Sequence, residues 1–218
     1  MPPLSQTLTP EKALIFRITH RDNVPWILRN GLHCRRSEVT DPDFVEIGNP
    51  ELITLRPHRD VDIPPDGTLA DYVPFYFTPR TPMLMNISTG YGGIRRRTNA
   101  EIVVLVSSLD ALRANGVPYV YTDRHAYLRT ASFFDDPARL GEVVDFDLLQ
   151  RCDFKRDPER PDKMERYQAE ALAHHFVPVG ALLGIGCYTS AIKDELETVC
   201  SGLGVDVKIL LRTEWYFS

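Results

Sequence analysis

The chain has 218 residues, 43% of them hydrophobic, and a formal net charge of −5. These values fit one domain with a packed core; they argue against disorder and against a surface that coats nucleic acid everywhere, while leaving room for local basic patches. Its four cysteines, Cys34, Cys152, Cys187 and Cys200, stand far apart with no CxxC pair, as reduced cytosolic thiols do, and not as a zinc site or disulfide framework. No basic-then-apolar leader opens the sequence, and no apolar run approaches the roughly 20 residues of a membrane helix, so a cytoplasmic protein is expected.

In chain order, residues 14–19 predict a strand, and the polar turn Thr19-His20-Arg21-Asp22-Asn23 leads into a helix over 24–30, with Asp22 or Thr19 as its cap and Asn30-Gly31 as its end. Backbone N–H groups are free at such a turn, so Thr19, His20 and Asn23 either close it or meet a ligand. Residues 34–72, broken by five prolines and rich in arginine, read as a long irregular loop, functional or mobile, whose arginines form either a solvated basic surface or a contact with a polyanion. Residues 72–77 predict an aromatic strand whose Pro74 suggests an edge or a strand start. Gly90-Tyr91-Gly92-Gly93 and Arg95-Arg96-Arg97 form a basic loop without the strand and helix context of a dinucleotide fingerprint; it is either a solvated hairpin end or a phosphate clamp or nucleic-acid patch.

Residues 100–107 predict a buried strand, Ser107 or Ser108 the cap of a helix over 109–114, and 117–121 a strand running into the polar end Thr122-Asp123-Arg124-His125. A helical turn opens at Asp145; a strand over 180–188, an amphipathic helix over 189–202 and a strand over 205–211 close the chain. Several strands with few, short helices favour α+β over a doubly wound parallel sheet. Before that closing run stands Arg166-Tyr167-Gln168-Ala169-Glu170, in which Gln168 and Glu170 share a face if extended. A carboxylate at the edge of a buried strand can accept a hydrogen bond from a sugar hydroxyl and stabilise positive charge developing beside it.

Five blocks occur in a telling order: Arg17 to Val24; Ile47-Gly48-Asn49 with Arg56 downstream; Tyr72-Val73-Pro74-Phe75-Tyr76-Phe77-Thr78-Pro79-Arg80-Thr81-Pro82-Met83-Leu84; Asp123-Arg124-His125-Ala126; and Gln168-Ala169-Glu170. Together, across nearly the whole chain, they resemble the DarT family of DNA ADP-ribosyltransferase toxins. The resemblance implies a single domain over residues 1–218 with the ADP-ribosyltransferase fold, a split mixed or antiparallel β core with short helices related to the poly-ADP-ribose polymerases. It implies transfer of ADP-ribose from NAD to a base, thymine in the larger branch, in single-stranded DNA. It also implies a macrodomain antitoxin of the DarG type as partner, and no metal.

By the same resemblance Glu170 is the catalytic glutamate and Arg56 an arginine needed for the chemistry. Arg17, Thr19, His20 and Asn23 belong to the segment that holds NAD, although many relatives carry His where this chain has Arg17. His125, Arg166 and Gln168 are candidates for the DNA side. Two rivals stay open: the same transfer to RNA or protein, and a catalytically silent nucleotide- or DNA-binding module.

Overall fold

The structure, a computed structural model, describes residues 4–217. Its strands are β1 (Leu14–His20), β2 (Leu32–His33), β3 (Tyr72–Tyr76), β4 (Ile102–Ser108), β5 (Tyr119–His125), β6 (Phe133–Phe134), β7 (Ala169–His174), β8 (Phe176–Val177), β9 (Gly184–Cys187) and β10 (Ile209–Leu211). Eight of them form one sheet in the order β10-β9-β4-β1-β3-β7-β5-β6, while β2 and β8 pair separately. Only β10 and β9 run parallel; the other pairs are antiparallel, which is the α+β arrangement expected. The helices are α1 (Leu4–Thr7), α2 (Val24–Asn30), α3 (Pro50–Leu55), α4 (Pro82–Thr89), α5 (Leu109–Ala114), α6 (Leu140–Val143), α7 (Phe146–Arg151), α8 (Lys163–Arg166) and α9 (Ser190–Leu203).

The core follows from the pattern. All seven residues of β4 are buried, as its unbroken apolar run requires of a strand covered on both faces. Ser108, not Ser107, caps α5 by accepting a hydrogen bond from the Ala111 N–H, and Thr189 caps α9 in the same way at Ile192. The buried stripe Ile192, Leu196 and Cys200 is the α9 face that packs on the sheet edge formed by β9 and β10.

The feature that positions the site is a split in the sheet. All seven residues of β1 pair with β4, and all five of β3 pair with β7. Between these halves one pair joins the strands, Phe16 with Tyr76. Pro74 accounts for the gap: it has no N–H to donate, and its carbonyl accepts instead from Arg17 Nη1 at 2.9 Å. β3 is therefore interior in strand order yet has an open edge on its β1 side.

Several sequence expectations need correction. The stretch 34–72 is not structureless: Asn49 caps α3 by accepting from the Glu51 N–H, Pro50 occupies its first turn, and a 3₁₀ turn Arg56–His58 continues it. Neither Asp22 nor Thr19 caps α2; a 3₁₀ turn Arg21–Asn23 intervenes, with His20 Nδ1 accepting from the Asp22 N–H. The strand expected at 117–121 begins two residues later and runs on through the polar end to His125. That expected over 180–188 shrinks to Gly184–Cys187 because Val179–Ala181 is a 3₁₀ turn. Strand β10 likewise occupies only Ile209–Leu211 of the stretch 205–211.

Candidate active site

Glu170 is the second residue of β7 and sits opposite Tyr76 of β3, beside the sheet split. It is 1% exposed. Its backbone N–H donates to Thr122 Oγ1 at 3.0 Å, which fixes the strand. The carboxylate is held from two sides: Arg56 Nη1 donates to Oε2 at 3.1 Å, and the Ala126 N–H donates to Oε1 at 3.1 Å. The second donor is available because the β5–β7 pairing shifts register between Tyr121 and His125, so the chain after His125 turns across the carboxylate. Each carboxylate oxygen accepts more than one hydrogen bond, so both retain capacity for a ligand hydroxyl. Arg56 Nη2 is buried and finds no hydrogen-bond partner among the described residues.

A cavity of about 180 Å³ opens at this pair, lined by Arg17, Thr19, Tyr76, His125, Gln168 and Glu170 among others. A second, of about 250 Å³, lies against α2, β2 and Tyr72. The two share a wall that includes Arg17, Phe44, Glu46, Arg56 and Pro74, so they are two halves of one cleft along the sheet split.

Strand alternation sorts the residues expected to hold NAD. Arg17 and Thr19, two apart, line the cleft. Burial pulls the Arg17 guanidinium below its ordinary value, as it does for any charge removed from water. His20 faces away: it is buried, its Nδ1 lies 3.4 Å from Asp22 Oδ2, and its Nε2 lies 3.7 Å from Glu101 Oε1. Asn23 is buried behind the wall. Its amide donates to Thr19 Oγ1 and to the Val45 carbonyl, both at 3.0 Å, and accepts from the Val45 N–H at 2.8 Å. It thereby ties the 44–49 segment, which carries Phe44 and Glu46, to the end of β1. In this geometry His20 and Asn23 support the cleft, while Arg17 and Thr19 form it.

On the other wall, burial lowers the His125 imidazole below its ordinary value, with the Glu170 carboxylate acting against that shift. Gln168 lines the cleft while donating from Nε2 to the Met164 carbonyl at 3.0 Å. Arg166 does not line either cavity; its Nε donates to Asp162 at 2.6 Å. Sequence reasoning missed Tyr76, whose hydroxyl lies 3.5 Å from Met83 Sδ and is driven upward in pKa by burial. The alternation in β3 carried the signal: Val73, Phe75 and the following Phe77 face the core, leaving Tyr72, Pro74 and Tyr76 for the cleft side.

Known proteins resemble this chain across nearly its full length. Residues 16–217 match the family model described as ssDNA thymidine ADP-ribosyltransferase, DarT. A DNA ADP-ribosyl transferase of Escherichia coli O127:H6 is 50% identical over 214 residues, covering 98% of each chain. Among solved structures, Thermus sp. 2.9 DarT in complex with ADP-ribosylated ssDNA superposes with a TM-score of 0.86 at 31% identity, covering 95% of this chain and 98% of that one. The same Thermus protein in complex with NAD+ gives 0.81 at 31% identity over 95% and 99%. Thermosipho africanus DarTG in complex with ADP-ribose shares the fold, with a TM-score of 0.72 at 15% identity, and this chain spans about half its length. A cleft built on a split antiparallel sheet, a buried Glu–Arg pair at its centre, and matches across nearly the full length converge: the chain belongs to the DarT family of ssDNA thymidine ADP-ribosyltransferases.

Proposed function

We propose that this chain, acting as one catalytic unit, splits NAD and transfers ADP-ribose to thymine in single-stranded DNA, with Glu170 and Arg56 as its catalytic residues. The observation that carries this reading is the buried Glu170–Arg56 pair with free accepting capacity on the carboxylate and an unspent donor on the guanidinium. The solved complexes of the Thermus relative with NAD+ and with ADP-ribosylated ssDNA support the two substrates.

The chemistry resembles glycoside cleavage. The bond between C1′ and the nicotinamide nitrogen breaks, its electron pair leaves with nicotinamide, and the ribose passes through an oxocarbenium-like state. Glu170 accepts a hydrogen bond from the ribose 2′-hydroxyl and stabilises the cation, an interaction that strengthens as charge develops. The thymine N3 then forms the new bond to C1′ from the opposite face and gives up its proton to solvent. Arg56 is too basic to take that proton; its Nη2 stabilises the deprotonated base or a neighbouring oxygen anion. Arg17 and Thr19 bind the NAD side of the cleft, with His20 and Asn23 holding that wall, and His125 and Gln168 face the acceptor. Single-stranded substrate follows from the chemistry, because the attacking nitrogen is paired in a duplex.

The test is mass spectrometry of a mixed-sequence single-stranded oligonucleotide after incubation with protein and NAD. The expected product carries one ADP-ribose on thymine, with nicotinamide released, and is lost with Glu170→Gln. Unmodified DNA alongside modified RNA or protein overturns the acceptor, and no nicotinamide release overturns the enzyme. Such an activity in the bacterial cytoplasm is toxic, and family membership implies a macrodomain antitoxin of the DarG type that removes the adduct. Co-expression of a macrodomain hydrolase is expected to restore growth, and failure to do so counts against that partner.

A further inference from the structure

The loop after α4 plays no part in the geometry described so far, yet it is built onto the cleft. Asn86 and Ile94 are in the cleft lining, on the Met83 side. Between them the chain closes a turn: the Gly90 N–H donates to the Asn86 carbonyl at 2.8 Å, and the Arg97 N–H donates to the Ile87 carbonyl at 3.0 Å. Arg96 Nε donates to the Ser88 carbonyl at 3.0 Å, so both stems are fixed to α4. The tip projects away from the protein. Gly92 has φ +67° and nothing within 4 Å of where a Cβ would lie, an open position that glycine fills without strain.

On this tip Tyr91 is 73% exposed, the largest exposure among the large hydrophobic side chains described. Arg95 and Arg96 are exposed beside it, and Arg95 makes no hydrogen bond or ion pair among the described residues. In a chain of net charge −5, a pinned tip with a bare aromatic ring and a free guanidinium, adjoining a cleft that takes a polyanion, is an uncommon local composition. Aromatic rings stack bases of any sequence and arginines meet the phosphates between them, the combination that single-strand binders use.

We propose that Tyr91 stacks on a nucleobase flanking the modified thymine and that Arg95 contacts a phosphate of that stretch, so that the tip is a positioning element for the DNA strand. The inference rests on the DNA-modifying reading above. Since Tyr91 and Arg95 lie outside the Glu170 site, they act on DNA binding and not on bond cleavage.

The experiment is steady-state kinetics with single-stranded oligonucleotides, following the modified oligonucleotide and nicotinamide separately. For Tyr91→Ala the expected result is a KM for DNA raised about tenfold, the weight of one stacked base, with kcat at saturating DNA and DNA-independent nicotinamide release within about twofold. Tyr91→Trp is expected to restore the wild-type KM, because it keeps the stacking surface. Arg95→Ala is expected to flatten the dependence of log KM on log salt by about 0.7, one phosphate on a single strand. An unchanged KM in Tyr91→Ala, or a kcat that falls with an unchanged KM, overturns the contact while leaving the DNA reading intact. A wild-type protein that releases nicotinamide and leaves DNA unmodified overturns the DNA reading, and this contact falls with it.

Discussion

At the scale of single residues the site is a balance of buried charges. Glu170 is almost fully buried and is held by Arg56 and the Ala126 N–H. Glu170→Gln keeps the shape but turns an amide N–H2 toward one of these donors. It is expected to lower kcat by about 10²–10³-fold, as loss of a charge-stabilising group does, with a stability loss of about 1–3 kcal/mol from the unsatisfied donor. Arg56→Ala removes the partner of a buried carboxylate instead, and is expected to cost about 3–5 kcal/mol in denaturant unfolding as well as activity. A variant at Arg56 that loses activity with unfolding unchanged would mean that Glu170 does not depend on it for burial. His125 supplies the pH test. Burial depresses its folded-state value, so as pH falls through the unfolded value of 6.5 the unfolded chain takes up a proton that the folded chain resists. Stability therefore falls on the acid side. Unfolding of wild type and His125→Asn compared at about pH 7.5 and 5.5 is expected to show a smaller loss in the variant.

The elements matter through how they keep the sheet split open and supported. On the β3 side Pro74 prevents pairing and Arg17 fills the gap. On the β1 side Phe16, which makes the one pair across the split, packs edge-on against Trp215 with ring centroids 5.4 Å apart. Trp215 in turn lies over Gly186 of β9, where a Cβ would run into its ring. The Tyr216 hydroxyl lies 3.0 Å from the Ile102 carbonyl and 3.1 Å from that of Gly186. Gly186→Ala is expected to displace Trp215, cost about 1–3 kcal/mol as overpacking does, and redden the tryptophan emission; an unshifted spectrum with wild-type melting would refute the lock. This support was not legible in the sequence, because nothing local ties a glycine at 186 to an aromatic ring twenty-nine residues on. What was legible was local. β-branched and aromatic residues gave β1, an unbroken apolar run gave β4, a serine cap gave α5, and the amphipathic spacing of Ile192 and Leu196 gave α9 to within one residue. Helix α3 was hidden among prolines although Asn49-Pro50 marks its start. Glu170 gave only a weak local signal, a carboxylate sharing a face with Gln168 ahead of an apolar run, and the family resemblance singled it out; Arg56 came only through that resemblance, since its partner lies 114 residues away. Reading Thr19 and His20 as one group overlooked the two-residue period of β1, which turns them to opposite faces.

At the scale of the whole molecule the problem is how an acidic protein takes a polyanion. With a net charge of −5 the long-range field does not attract DNA, so attraction has to be confined to the cleft and its rim. The basic groups there fall into two kinds. Arg17 and Arg56 are enclosed in the cleft wall and committed to Pro74 and Glu170, whereas Arg35 at the cleft mouth and Arg95 and Arg96 on the rim loop stand exposed. Only the exposed kind exchanges condensed counterions with a strand, so the number of phosphates neutralised is small. With roughly three contacts at about 0.7 each, log KM for DNA is expected to rise with a slope of about 2 in log salt, some fifteen- to twentyfold between ~50 and ~200 mM. The acidic remainder of the surface adds a repulsion that salt relieves, which makes the observed slope shallower than the contact count alone. Nicotinamide release without DNA draws on the enclosed arginines, which screening reaches least, so its KM for NAD is expected to change less over the same range. Initial rates of both reactions across a salt series decide the matter. Equal slopes for NAD and DNA would place the phosphate-binding charge inside the cleft and leave the rim without a role in affinity.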